Sequence, residues 1–246
     1  MIKAIRILTV VSFLTAFYSI NKISINKNTT LKIMNAATEN QVFEIALYTI
    51  KDEAKDTFTE LSRKTMDHLS TFQGFVSVEN YHSISDPQLY LDLVLWESLD
   101  DALEAQKKFE SDPEVSDYLK TIDTIKFFDH VKMISKNGVL KFNELAENDV
   151  LEFATIYIND NSLEQLLESR EPLMNYIGKE YPAFKEVITT QSVKTPNLLI
   201  DIARWGNKES CGIVQQEIES HELFMNFAKS FDMEKEMIME FFTKLK

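Results

Sequence analysis

One phrase of the 246-residue chain is written twice: "PQLYLDLVLWES" at 87–98 returns as "PNLLIDIARWGN" at 196–207, with Trp96 and Trp205 standing 109 residues apart. The copying reaches further. "VFEIALYTIKD" from Val42 is matched by "VLEFATIYIND" from Val150, and Val42/Val150, Glu44/Glu152, Ala46/Ala154, Ile50/Ile158 and Asp52/Asp160 are identical at a spacing of 108. After one residue is gained, the spacing becomes 109 and holds through Phe75/Phe184, Val78/Val187, Ser83/Ser192, Pro87/Pro196, Leu89/Leu198, Asp92/Asp201 and Trp96/Trp205. It continues through Glu110/Glu219, Ser111/Ser220, Lys120/Lys229 and Asp123/Asp232. A register kept across separate elements marks an internal duplication of a unit of roughly 100 residues. Whatever one copy folds into, the other must fold into as well.

Each copy has the same pattern of elements. Residues 43–50 alternate as a strand. Ala54, Phe58, Leu61, Thr65, Met66 and Leu69 then recur at helical spacing, and the glycine of "TFQGF" closes that segment. Strands at 76–83 and 88–96 are joined by "SISDPQ", whose Asp-Pro is a turn signal. Ser98 is placed to cap a helix with acids in its first turn, which continues beyond Pro113 through Val115, Tyr118 and Ile122. "TIKFFDHVKMI" is a last strand. The order β-α-β-β-α-β is the split ferredoxin-like unit. In the second copy "MIMEFFTKLK" stands where the last strand belongs but reads equally well as more helix, and the Met/Phe-rich "FMNFAKSFDMEKEMIMEFF" reads most simply as a helix packed into the core. The expected division is 1–40 as a signal-like or anchor segment and linker, 41–136 as the first unit, 137–149 as a linker and 150–246 as the second unit.

A unit of this order, whose third strand ends in Trp and runs into "SLDDALEAQKKFESDPEV", resembles the antibiotic biosynthesis monooxygenase (ABM) domain of the dimeric α/β-barrel superfamily. The resemblance covers about 200 residues as two copies. It implies an α+β fold in which two ferredoxin-like units pair their antiparallel sheets into one barrel inside a single chain. A four-stranded sheet covered by helices on one face leaves its other face apolar and in need of a partner. Covalent linkage removes the concentration dependence of that pairing. Self-association is thus open to the chain but not required to close the barrel. The resemblance also implies a cofactor-independent monooxygenase acting on a small aromatic or quinone-like molecule held between a sheet and its helices. The alternative is a non-catalytic member that binds a small apolar ligand or serves a structural or stress-related role. Haem-degrading members use an Asn on the first strand and a Trp and a His on the second helix; Ile45 and Phe153, Ala105 and Val214, and Val115 and Phe224 stand near those places. None fits, and His221 lies three residues from its matching position.

Seven residues are the candidates for a site. Asp92 and Asp201 interrupt apolar strands on the face that carries the tryptophans. A buried carboxylate needs a partner or a raised pKa, and a raised pKa suits a base that removes a phenolic proton. The competing reading is an acid that reaches a rim or pairs with a Lys. His82 and His130 have no counterparts, since Gln191 and Met239 occupy the matching positions, and lone histidines are commonly surface or core residues. With Tyr48, they make the first unit the expected catalytic one: Asp92, His82 and His130 for catalysis, with Trp96, Tyr48, Trp205 and Asp201 for substrate binding. For the tryptophans the first reading is structural, a large ring packed beneath the second helix.

Composition excludes other classes. A net charge of −13 without a dense basic cluster disfavours nucleic acid. The single Cys211 allows no internal disulfide and no thiol zinc site, and no HxH, HExxH or Gly-rich phosphate loop is present, so no metal or cofactor is expected. With 44% hydrophobic residues, the chain can bury a core. The first 40 residues differ, carrying Lys3, Arg6, Lys22, Lys27 and Lys32 against Glu39 alone. Ile7 to Ile20 is uncharged, the length of a secretory h-region and short for a membrane span, yet "TAFYSINK" lacks a small-x-small cleavage site. Two expectations stand: export or membrane anchoring, or a translation start at Met34 and a cytoplasmic protein.

Overall fold

The computed structural model describes residues 40–137, 146 and 148–245. The signal-like segment, Met34 and Gly138 of the linker lie outside the described residues.

The first copy is β1 (Val42–Ile50), α1 (Lys55–Leu69), β2 (Phe75–Ser83), β3 (Leu89–Trp96), α2 (Leu99–Ser111), the short α3 (Ser116–Thr121) and a long β4 (Ile122–Asn137). The second is β5 (Val150–Tyr157), α4 (Leu163–Glu180), β6 (Phe184–Ser192), β7 (Leu198–Trp205), α5 (Lys208–Ile218), α6 (Glu222–Ala228) and β8 (Met239–Lys244). The local signals act as their chemistry dictates. The Ser98 hydroxyl accepts a bond from the Asp101 N–H at 3.1 Å and so starts α2. Gly74 turns the chain into β2 at φ 75°, and a Cβ there would lie 2.3 Å from the Asp101 side chain.

The eight strands close a barrel in the order β1-β3-β2-β8-β5-β7-β6-β4. Two four-stranded sheets, β4-β1-β3-β2 and β8-β5-β7-β6, meet edge to edge at β2–β8 and at β4–β6. Closure removes every free edge. The α+β fold is therefore two ferredoxin-like units pairing within one chain. The Met/Phe-rich end departs from the single helix expected of it. Only Glu222–Ala228 is helical, while Met239–Lys244 is the strand that seals the barrel, and Met233, Met237 and Met239 are exposed. Pairing with β2 and β5 outweighs the helical propensity of the segment because each edge would otherwise carry unpaired backbone groups.

Strand alternation sorts the core into three bodies. Odd-numbered residues of β1 and β3, among them Ile45, Leu47, Leu91 and Leu93, fill the barrel with Phe153, Ile200, Ile202 and Phe242 from the second unit. Even-numbered residues face outward under the helices: Tyr48, Tyr90, Val94 and Trp96 meet Phe58, Met66, Ala102 and Tyr118 in the first unit. Trp205, Leu199 and Ala203 meet Leu166, Leu173, Cys211 and Val214 in the second. The buried stripes of α1 (Phe58, Ser62, Thr65, Met66, Leu69) and α4 (Leu166, Arg170, Leu173, Met174, Ile177) match residue for residue at the 108 spacing.

Candidate functional site

The outer face of the first sheet carries a polar row within an aromatic layer. Asp92 lies on β3 directly opposite Ala46 of β1 and Asn80 of β2. Ala46 is small, which leaves the carboxylate room to turn toward neighbours on either side. Asn80 Nδ2 donates to Asp92 Oδ1 at 2.7 Å. Oδ2 accepts from the Tyr48 hydroxyl at 2.9 Å and from the Tyr118 hydroxyl at 3.1 Å. The two phenol oxygens are themselves 2.7 Å apart. Asp92 is only 5% exposed, and Tyr48 and Tyr118 are as deeply buried. Phe58 of α1 completes the layer, its ring centre 4.3 Å from that of Tyr90 and 5.8 Å from that of Tyr118.

The electrostatics follow from burial. Loss of solvent raises the Asp92 pKa to about 6, the bonds from Asn80, Tyr48 and Tyr118 pull against that rise, and the charge of Glu44 adds to it. Both tyrosines are held well above the usual phenol range, first by burial and then by the Asp92 charge, so they stay protonated donors. A carboxylate that titrates near neutral pH while holding two phenolic O–H groups can accept a proton from a third.

Of the seven expected residues, the fold joins Asp92 and Tyr48 directly. His130 is one step removed: its Nε2 lies 3.0 Å from Glu44 Oε2, and Glu44 sits on the same face of β1, one pleat from Ala46. His82 stands apart at the β2–β8 joint, opposite Thr243, with Nδ1 3.2 Å from the Ser83 carbonyl. Trp96 is 1% exposed and edge-on to Phe75, with its buried N–H unpartnered.

In the second unit the row is rebuilt. Asp201 lies opposite Ala154 and Thr189, and Thr189 Oγ1 donates to its Oδ1 at 2.5 Å. The positions of Tyr48 and Tyr118 hold Ile156 and Phe227, so no phenol reaches the carboxylate. Glu152, the counterpart of Glu44, accepts from the Trp205 N–H at 2.7 Å and from Cys211 at 3.3 Å. His221 caps α6 through the Leu223 N–H and stacks on Tyr176.

Asn80 and Tyr118 were not among the expected site residues. Asn80 was findable, because it faces Asp92 across a hairpin whose register the Asp-Pro turn suggests. Tyr118 is 26 residues from Asp92 in sequence, and nothing in the local pattern of its helix points back to the strand. Two open clefts lie elsewhere, at the equivalent ends of the two units. One of about 490 Å³ is lined by Ile50, Lys51, Asp52, Gln88 and Asp123; the other, of about 470 Å³, by Ile158, Asp160, Asn197, Phe231 and Asp232. Neither includes any of the seven residues. Among the described residues, no group of three or more His, Cys, Asp or Glu is placed to hold a metal ion.

Residues 41–119, from β1 into α3, match the family model described as antibiotic biosynthesis monooxygenase. The match covers most of the first unit, which is ABM-like. Asp92, Asn80, Tyr48 and Tyr118 all fall inside it. No curated protein matches the chain. Among solved structures, an anthrone oxidase-like protein shares 11% identity at a TM-score of 0.66, over 84% of this chain and 92% of its own. A "putative monooxygenase" of Lactobacillus acidophilus NCFM shares 14% at 0.57, over 85% and 95%. Another of that description, from Fusobacterium nucleatum subsp. nucleatum, shares 9% at 0.58, over 84% and 93%. At these identities the likeness is one of fold, and it extends across both units of the ABM-like chain.

Proposed function

We propose that the first unit is a cofactor-independent monooxygenase site for a small aromatic or quinol-like substrate, with Asp92 as its general base. The observation that carries this is the Asp92 carboxylate itself, buried inside an ABM-like unit, raised to about 6 and already holding two phenol hydroxyls. A substrate hydroxyl takes the place of the Tyr118 hydroxyl on Oδ2, which requires the six-residue α3 to move outward. Tyr48 and Asn80 keep the carboxylate aimed, and Trp96 walls the site. For an anthrone-like substrate, Asp92 removes a proton to leave a carbanion, which gives electrons to dioxygen and forms a C–O bond. The O–O bond then breaks, so that one oxygen stays as a carbonyl and the other leaves as water with both hydrogens of the original CH₂. The substrate supplies all four electrons, and Asp92 gives back the proton it took. His82 and His130 have no part in the proton transfer; His130 acts at most through Glu44.

The test is oxygen consumption with a panel of anthrones and quinols, with ¹⁸O₂ used to follow the oxygen into product. Turnover is expected to rise with pH through about 6 as Asp92 ionises. Asp92→Asn should lower it by about 10²–10⁴-fold, the usual contribution of a general base. Absence of turnover across the panel, or an Asp92→Asn protein as active as wild type, overturns the enzyme.

A second reading rests on a different observation. All three donors to Asp92 come from the chain itself, and Phe58 and Tyr118 fill the space beside it. That suits a non-catalytic protein whose first unit is closed, or opens only to bind a small apolar ligand. Saturable binding of an anthraquinone without oxygen uptake from any reduced partner would favour it.

A further inference from the structure

The second unit contains a buried cation with part of its donor set unused. The stripe that α4 turns toward its sheet repeats that of α1 at every position, yet Ser62 of the first unit is replaced by Arg170. Arg170 is 1% exposed. Its Nη1 donates to Asn137 Oδ1 at 2.6 Å and to Ser135 Oγ at 3.3 Å, both at the end of β4. Its Nε and Nη2 are buried with no hydrogen-bond partner. Those two N–H groups lie along one edge of the planar guanidinium, so a complete two-pronged donor fork stands unused.

No carboxylate among the described residues makes an ion pair with this fork. Asp201 is the charge that acts on Arg170 across the layer, but its carboxylate bonds to Thr189, and no ion pair joins it to Arg170. An unpaired buried charge with two orphaned donors is a costly arrangement. Its natural complement is a carboxylate, whose two oxygens match the spacing of the Nε and Nη2 hydrogens. We propose that the second unit binds a small monocarboxylate on the Nε/Nη2 edge of Arg170. The neighbouring stripe residues Leu166, Leu173, Met174 and Ile177 are apolar, so the acid carries an aliphatic or aromatic body. The nearby Asp201 disfavours ligands with more than one negative charge. Access is by way of the turn of α4 that contains Pro172, which has no N–H to give the carbonyl of Glu168 and so weakens the helix beside Arg170. This site is independent of the reaction assigned to Asp92.

The experiment titrates acetate and benzoate into the full chain, with ionic strength held constant by chloride and benzamide as the neutral control. Thermal midpoint and arginine Nε–H resonances are followed together, the Arg170 signal being identified by its loss in Arg170→Lys. Both acids are expected to raise the midpoint saturably and to move that one resonance, while benzamide does neither. Arg170→Lys, which keeps the charge but not the fork, should weaken the response at least tenfold. Asp201→Asn should strengthen it by removing a repelling charge, and this variant together with the wild-type resonance serves if Arg170→Lys does not fold. The site is overturned by a response no greater than that to chloride, by an unchanged response in Arg170→Lys, or by loss of the response in Asp201→Asn, which would mark Asp201 as a partner Arg170 needs.

Discussion

Glu44 and Glu152 hold the same place on the first strand of their units and bind different things. In the first unit, His130 lies directly opposite Glu44 and takes its carboxylate, which leaves the Trp96 N–H buried without an acceptor. In the second, Phe241 stands opposite Glu152, which turns instead to Trp205, Cys211 and Gln215. Asp92 and Asp201 diverge in the same manner, one ringed by phenols and the other left with Thr189. The backbone was copied, and a few side chains then reassigned every polar partner. In the second unit Glu152 ties β5 to α5, while Asp201 bonds across to β6. The first leaves a tryptophan N–H without an acceptor and surrounds a buried carboxylate with weak acids, an arrangement that costs stability.

The largest expected effect comes from truncating the tryptophans. Trp→Ala at either position should cost about 3–5 kcal/mol in urea unfolding, since both rings are almost wholly buried. Trp205→Ala should lie higher in that range than Trp96→Ala because it also strips Glu152 of a donor.

Next is the pH dependence that Asp92 confers. Its folded pKa of about 6 stands above the ordinary aspartate value of 3.8, so the folded state binds the proton more tightly than the unfolded chain does. The resulting stability is fully present below about pH 4 and lost as pH rises through 6. The span is up to about 3 kcal/mol for a shift of this size. Burial also raises Asp201 and Glu152, so wild type as a whole should weaken over this range. Subtracting the Asp92→Asn unfolding curve isolates the first unit's share, and equal slopes for the two proteins would break the contrast.

A smaller effect separates the indole N–H groups. Trp205→Phe loses a hydrogen bond to a charged acceptor, whereas Trp96→Phe removes an N–H that bonds to nothing. Trp205→Phe should therefore be the more destabilising by about 1–2 kcal/mol. Equal losses would mean that Trp96 has an acceptor after all.

Much of this was legible in the residues, and the limits have physical causes. The duplication, the order of elements and the barrel follow from a spacing that survives wherever a strand or helix must keep its buried face. Asp92 stood out because a charge inside "LYLDLVLW" has to be settled somehow, and Tyr48 because its copy is Ile156. Tyr118 and the Glu44–His130 pair were not legible as partners, since they meet only after the helix lies down and β4 finds its register. The sequence spacing pairs His130 with Met239, but β8 is shifted so that Met239 lies opposite Ala154 and Phe241 takes the place across from Glu152. Arg170 could have been found by laying the two helix stripes side by side at 108 residues. Its orphaned donors could not, because they depend on what surrounds it.

The most direct measurement is the ¹³C titration of the Asp92 carboxyl, assigned by its absence in Asp92→Asn. A midpoint near 6 is expected, moving higher in Tyr118→Phe as a donor to the charged form is removed. A midpoint in the ordinary carboxylate range, or one that Tyr118→Phe leaves unmoved, would contradict a first unit built around a buried, phenol-lined base.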